Sequence, residues 1–183
     1  MLGARVTDPS GQMLYVFAPE QTPRQIYKSQ SQFVGPSFFH DGDIAVVSSF
    51  EGTGSLDMRL LAFDVASREQ MAGLWDGAGV GHSLGEFSPL PGDSRMLSSS
   101  SASGYARPLI WNPRTGERRE LLIDEIPGEV TALQWSRDAK RVLLSQLYQA
   151  QRYHFLYNLE TDTTLKVHPD GFVATYPQVG CLT

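Results

Sequence analysis

The sequence predicts an all-β chain assembled from repeats of about 48 residues, and three observations carry that prediction. The opening aromatics Phe38, Phe87 and Trp135 stand 49 and 48 positions apart, and the closing residues Asp64, Asn112 and Asn158 stand 48 and 46 apart. Two landmarks that keep one period independently mark an internal repeat. Turn residues follow the opening aromatic each time, as Asp41-Gly42, Pro91-Gly92-Asp93 and Asp138-Ala139-Lys140, and each leads into a short run rich in Val, Leu or Ile. Such runs suit strands rather than helices. Finally, no stretch keeps a helical period: Arg68 to Ala72 is long enough for one turn, but Gly73 and the glycines after it end it. Three or four short strands in a repeat of this size make a β-propeller blade, which buries its faces only against neighbouring blades.

In chain order, residues 1–32 read as a partial blade. Pro9-Ser10-Gly11 is a turn signal, Met13 to Phe17 a strand, and Gln25 to Tyr27 the core of a second. Residues 33–79 form a first full four-stranded repeat, with strands near 44–48 and 59–64 and a polar loop from Glu51 to Asp57. Residues 80–127 form the second, with strands near 94–98 and 107–112. Its run from Ser98 to Gly104 reads as a flexible loop, by composition. Residues 128–171 form the third, with strands near 130–135, 141–145 and 153–158 and a crossing from Gln146 to Arg152. Each repeat closes on an Asx residue with Ser or Thr three positions on, the pattern of a side chain bonding its own turn. Residues 172–183 begin a further blade, with Phe172 to Tyr176 as its strand. The whole, 1–183, is expected to be one domain and an incomplete propeller. An open arc with unburied end faces is favoured, and it would self-associate through its open blade edges. The alternative is a small ring in which residues 13–17, 25–28 and 172–176 share a fourth blade.

Composition narrows the function. A net charge of −5 and an isoelectric point near 5.3 give no electrostatic footprint for nucleic acid. The start Met1-Leu2-Gly3-Ala4-Arg5 lacks the apolar core of a signal peptide, and no apolar run is long enough to span a bilayer. The single cysteine, Cys181, excludes an internal disulfide. A protein with no membrane association, in the cytoplasm, is the expectation.

One motif points to catalysis. Gly81-His82-Ser83-Leu84-Gly85 matches G-x-S-x-G, in which a serine stands on a strained strand-to-helix turn. Ser83 would be the nucleophile, with His154 or His168 as its base. The flanks argue against it. Asp76 to Gly79 offers no apolar strand before the motif, and Pro89, Pro91 and Gly92 forbid a helix soon after it. Ser83 is therefore the one catalytic candidate, and a chance match is the preferred reading. No metal site is expected, because the four histidines lack ligand spacing and there is one cysteine. No cofactor site is expected either: Gly77, Gly79 and Gly81 do not make G-x-G-x-x-G. Arg114, Arg118 and Arg119, interleaved with Glu117 and Glu120, read as a solvated turn and strand edge. Trp111 and Trp135 read as blade-packing residues, and Trp75 as a loop aromatic on the rim.

The phrase Trp135-Ser136-Arg137-Asp138-Ala139-Lys140-Arg141-Val142-Leu143-Leu144 resembles the W-S-P-D-G-K repeat in propellers of the prolyl oligopeptidase family, above all its acylaminoacyl-peptidase-like bacterial members. Leu147 to Gln151 and the turn Leu156 to Thr163 are similar to the closing parts of those blades. Propellers of the Tol system carry the same type of repeat. WD-repeat proteins are more distantly similar, through Gly81-His82 and Trp111-Asn112. Gly81 to Glu86 with Phe87-Ser88 also resembles the nucleophile segment of malonyl-type acyltransferases. The propeller resemblance covers about residues 33–171 and departs at Asp138-Ala139, where glycine is usual, and at the extra residue in Leu90-Pro91-Gly92. It implies a non-catalytic, substrate-gating propeller that caps a separate α/β-hydrolase domain, and it carries over no catalytic residue. The alternatives are a free-standing WD-repeat or Tol-type scaffold for a protein or peptide partner and, at a distance, an acyltransferase or hydrolase using Ser83.

Overall fold

The computed structural model describes residues 2–167. They form fourteen strands in four antiparallel sheets that follow one another along the chain. The first sheet holds β1 (Leu2–Asp8), β2 (Gly11–Phe17) and β3 (Arg24–Ser29). The second holds β4 (Phe33–Phe38), β5 (Ile44–Ser49), β6 (Arg59–Asp64) and β7 (Gln70–Leu74). The third holds β8 (Met96–Ser100), β9 (Arg107–Trp111) and β10 (Arg118–Glu120). The fourth holds β11 (Glu129–Trp135), β12 (Arg141–Tyr148), β13 (Gln151–Asn158) and β14 (Thr163–Lys166). Strands within each sheet are meanders, paired in sequence order. In the third sheet, residues 82–87 lie along β8 through two isolated bridges, His82 to Ser100 and Phe87 to Met96. That segment holds the place that β4 and β11 hold in their own sheets.

The core is three apolar seams, and the two-residue strand period assigns side chains to them. Ala45 and Val47 of β5 and Leu61 and Phe63 of β6 pack toward the first sheet, with Leu14, Val16 and Tyr27. Their neighbours Ile44, Val46, Leu60 and Ala62 pack toward the third sheet, with Met96, Leu109 and Trp111. Leu97 and Ile110, next in line to those last residues, pack toward the fourth sheet, with Val130, Trp135, Val142 and Tyr157. A strand buried on both faces reads as a continuous apolar run, and this is why β5 and β6 show no polar alternation. Trp111 and Trp135 stand in different seams, each packing one sheet on the next. Among the described residues no apolar cluster joins the fourth sheet to the first, so the sheets form an open run.

The turns behave as their residues require. Asp64 Oδ1 accepts from the Ser67 amide at 2.7 Å, Asn112 Oδ1 from Arg114 at 3.0 Å, and Asn158 Oδ1 from Glu160 at 2.9 Å. Ala139 takes the left-handed conformation, φ 52°, at the place where glycine was missed.

The structure departs from the sequence reading in three places. The first sheet has three strands, not two: Leu2, Ala4 and Val6 alternate along β1, but the strand is mostly exposed and follows no turn or repeat landmark. Ser98, Ser99 and Ser100 lie inside β8 and are buried, not in a loop. Their hydroxyls can enter a sheet because they find backbone partners: Ser98 Oγ donates to Ser83 O at 2.7 Å, and Ser99 Oγ accepts from the Ala132 amide at 3.3 Å. Gln146 to Arg152 is not a crossing but the tip of a long hairpin, turned by Gln149 and Ala150 at φ 50° and 62°. The strand expected at 172–176 lies outside the described residues. No helix among the described residues is long and apolar enough to cross a membrane.

Candidate functional site

Every residue of the 81–86 segment that sequence reasoning linked to acyl transfer has a structural partner. The Ser83 amide donates to Ser99 O at 3.0 Å and its carbonyl accepts from Ser98 Oγ, which fixes the backbone along β8. No helix follows it, and its φ is not in the left-handed region. A β-carbon on Gly85 would meet the Leu97 carbonyl carbon at 2.8 Å and Leu97 Cβ at 3.0 Å, so the glycine serves close approach to β8. Glu86 links this sheet to the next: its carboxylate accepts from the Trp135 amide at 3.0 Å, and its carbonyl accepts from Trp135 Nε1 at 3.2 Å. The Ser83 side chain is exposed on the third sheet, while His154 is buried in β13 of the fourth. His168 lies outside the described residues.

His82 does have a carboxylate partner. Its ring is fully buried in the seam between the second and third sheets, with Nε2 3.3 Å from Asp76 Oδ2 but outside hydrogen-bond geometry. Nδ1 has no hydrogen-bond partner. Asp76 is held from the other side, because Arg118 Nη1 donates to both its oxygens at 2.7 Å and Ser100 Oγ donates to Oδ2 at 3.3 Å. Arg118 also donates from Nε to Glu120 Oε1 at 2.6 Å. Burial pushes the His82 imidazole below its ordinary value, against the pull of Asp76. Burial acts to raise the Asp76 carboxyl, but the bonds and charge of Arg118 prevail and hold it below the usual range. A neutral histidine facing an ionised, arginine-held aspartate is a polar lock on the seam. No group of three or more metal-ligating side chains occurs among the described residues.

The antiparallel meanders place all connections at two opposite edges of the run. One edge carries the tight turns at 39–43, 64–69, 88–95, 112–117, 136–140 and 158–162. It is polar and tied by ion pairs: Arg114 with Asp43, Arg119 with Asp162, Arg95 with Asp93, and Lys140 with Glu160. Arg114, Arg118 and Arg119, expected to be a solvated edge, thus find carboxylates on neighbouring segments. The other edge carries the longer connections at 50–58, 75–81, 101–106 and 121–128 and the hairpin tip at 149–150. Here stand Leu56 (93% exposed), Trp75, Tyr105 (56%), Leu122, Leu147 and Tyr148, all large and all exposed. Leu90 lies at the turn edge, and Leu2, Val6, Met71, Leu133 and Leu165 are exposed along strands. Sequence reasoning picked out Trp75. It missed Tyr105 and Tyr148, whose signal was an aromatic at the end of a small-residue loop and at a hairpin tip.

No family model matches this sequence, and no curated protein matches it. Solved structures do resemble it. TolB from Acinetobacter baumannii superposes with a TM-score of 0.66 at 14% identity, over 92% of this chain and 41% of that one. A prolyl endopeptidase gives 0.65 at 12%, over 92% and 26%. The β-propeller domain of the Trilobed protease from Pyrococcus furiosus, which has an open velcro topology, gives 0.61 at 9%, over 90% and 52%. The chain therefore spans between about a quarter and a half of these proteins. At such identities the likeness is one of fold, and with the four sheets and their alternating seams it shows the chain to be a run of β-propeller blades.

Proposed function

We propose that this chain is a non-catalytic β-propeller segment that presents its loop edge to a protein partner, in the manner of the substrate-gating propellers of prolyl-oligopeptidase-like peptidases. The reading takes residues 1–183 as one domain, with repeats at 33–79, 80–127 and 128–171 between two partial blades. One observation carries it: Leu56, Trp75, Tyr105, Leu122, Leu147 and Tyr148 stand exposed at the loop edge, while the turn edge is closed by ion pairs. Contiguous exposed apolar surface on a folded chain marks an interaction site. The partner implied by the resemblance is an α/β-hydrolase domain. A second reading, a free-standing scaffold for a protein or peptide, is supported by the similarity to TolB.

The non-catalytic part is tested at Ser83, whose backbone is fastened on both sides to the serines of β8. Incubation with a fluorophosphonate probe is expected to leave Ser83 unlabelled, and Ser83→Ala is expected to leave any esterase activity unchanged. Stoichiometric labelling at Ser83 would overturn the reading.

A further inference from the structure

At the loop edge, between the third and fourth sheets, an open groove of about 570 Å³ runs between Tyr105 and the hairpin tip at Tyr148. Its size is that of a ligand site. Gly128 and Pro127 contribute to its floor. Gly128 has φ 76°, and a β-carbon there would meet Leu147 O at 2.6 Å and Tyr148 Cδ2 at 3.1 Å, so only glycine lets this segment lie against β12. The walls are tied together beneath: the Val130 amide donates to Ala106 O at 2.9 Å, and Gln146 Nε2 donates to Pro127 O at 2.6 Å. The groove is thus built from fastened segments, with two exposed tyrosines standing over it.

Arg107 lines the groove, and its environment sets the chemistry of the occupant. Its Nη1 donates to the Ile126 carbonyl at 2.9 Å, which positions the side chain without neutralising it. Unlike Arg95, Arg114, Arg118 and Arg119, it makes no ion pair among the described residues. Glu129 also lines the groove, and among the described residues it makes no ion pair with Arg107. The groove therefore offers a guanidinium that no described carboxylate neutralises, with two exposed tyrosines in the same lining. Guanidinium is the side chain best matched to a carboxylate, and Tyr with Arg is the pairing that dominates interface hot spots.

We propose that this groove binds an extended acidic segment of a partner protein, its Glu or Asp carboxylate meeting Arg107 and the flanking large apolar side chains lying against Tyr105 and Tyr148. The inference rests on the reading of the loop edge as a partner surface. The chain's net charge of −5 repels such a segment at long range, so recognition comes from short-range pairing at Arg107 and from apolar contact.

Fluorescence anisotropy with a fluorescein-labelled peptide Ser-Gly-Leu-Phe-Glu-Leu-Phe-Gly-Ser, and with its counterpart carrying Lys in place of Glu, tests this on the whole chain. The Glu peptide is expected to bind about tenfold more tightly than the Lys peptide, the effect of one charged hydrogen-bonded pair. Arg107→Glu is expected to reverse that preference, which loss of folding cannot do. Tyr105→Ser and Tyr148→Ser, both at exposed positions, are expected to weaken the Glu peptide several-fold, and Leu90→Ser at the turn edge to leave it unchanged. Equal binding of the two peptides, binding of neither, or a preference that survives Arg107→Glu would overturn the proposal. Labelling of Ser83 with the peptide preference intact would remove the non-catalytic reading and leave the groove standing. An unlabelled Ser83 with no preference between peptides would remove the groove alone.

Discussion

Gly85 and His82 are two residues of one motif whose constraints come from packing. At Gly85 the neighbouring atoms belong to the β8 backbone, which cannot move aside without breaking the ladder. Gly85→Ala is expected to destabilise the fold by about 1–3 kcal/mol, the range for overpacking, as read from the midpoint of urea unfolding. At His82 the consequence is a pH dependence. Its folded value lies below the ordinary 6.5, so above that pH neither the folded nor the unfolded state holds the proton and stability is full. As pH falls through 6.5 the unfolded chain takes up a proton that the buried ring refuses, and stability declines until the folded value is passed. A series of urea titrations between pH 7.5 and 5 should show this fall, and His82→Asn should flatten it. Asp76 acts in a lower window: its folded value is depressed below 3.8, so its contribution is present above that pH and lost in stronger acid. A stability curve flat from pH 7.5 to 5 in the parent chain would refute the role given to His82.

At the scale of the element, the middle strands decide the fold. Val46 and Val47 are neighbours in β5, both fully buried, yet they belong to different seams. Truncating either to Ala is therefore expected to cost about 1–3 kcal/mol, and the double variant the sum, since the two sites share no seam. In a sheet with one wet face, one of the two would be near neutral, and that result would contradict the packing described. These middle strands were legible in the sequence because apolar runs and Asx turns are strong local signals. β6 lies at 59–64 as read, and β5, β9, β11 and β13 lie within two residues of their expected places. The first strand and the outer strands β7, β10 and β14 were not legible. They are mostly exposed and held by ladder bonds that any sequence can make, as Arg118-Arg119-Glu120 shows. The serines of β8 misled for the opposite reason. Their composition says loop, and only the carbonyls offered by the neighbouring segment make them strand. The candidate site was legible in part: Trp75 was placed on the rim, whereas Tyr105 and Arg107 of one repeat meet Tyr148 of the next only through the stacking of sheets.

At the scale of the whole molecule, the run of sheets has a first face that no described residue covers. On that face Leu2 and Val6 of β1 are exposed and stand opposite Phe17 and Met13 of β2. Apolar residues there have the character of those that fill the three seams. The 183-residue chain is expected to associate as its concentration rises, and Leu2→Lys with Val6→Lys to suppress this, as followed by light scattering behind a sizing column. Association unchanged by the double substitution would assign it to another surface.

The serines near the loop edge give the run a further property. Toward the loop edge each seam is crossed by hydrogen bonds, through Ser49, Ser48 and Ser99 to Tyr27 Oη, His82 O and the Ala132 amide respectively, and through the His82 and Val130 amides to Met58 O and Ala106 O. Each such bond is worth about 1 kcal/mol net, less than the burial of one large side chain. The sheets are thus bound like a book, with apolar packing along the spine and hydrogen bonds at the fore-edge by the loops. A ligand seated across two sheets there acts as a clasp, turning occupancy of one groove into stiffness of the adjoining seam.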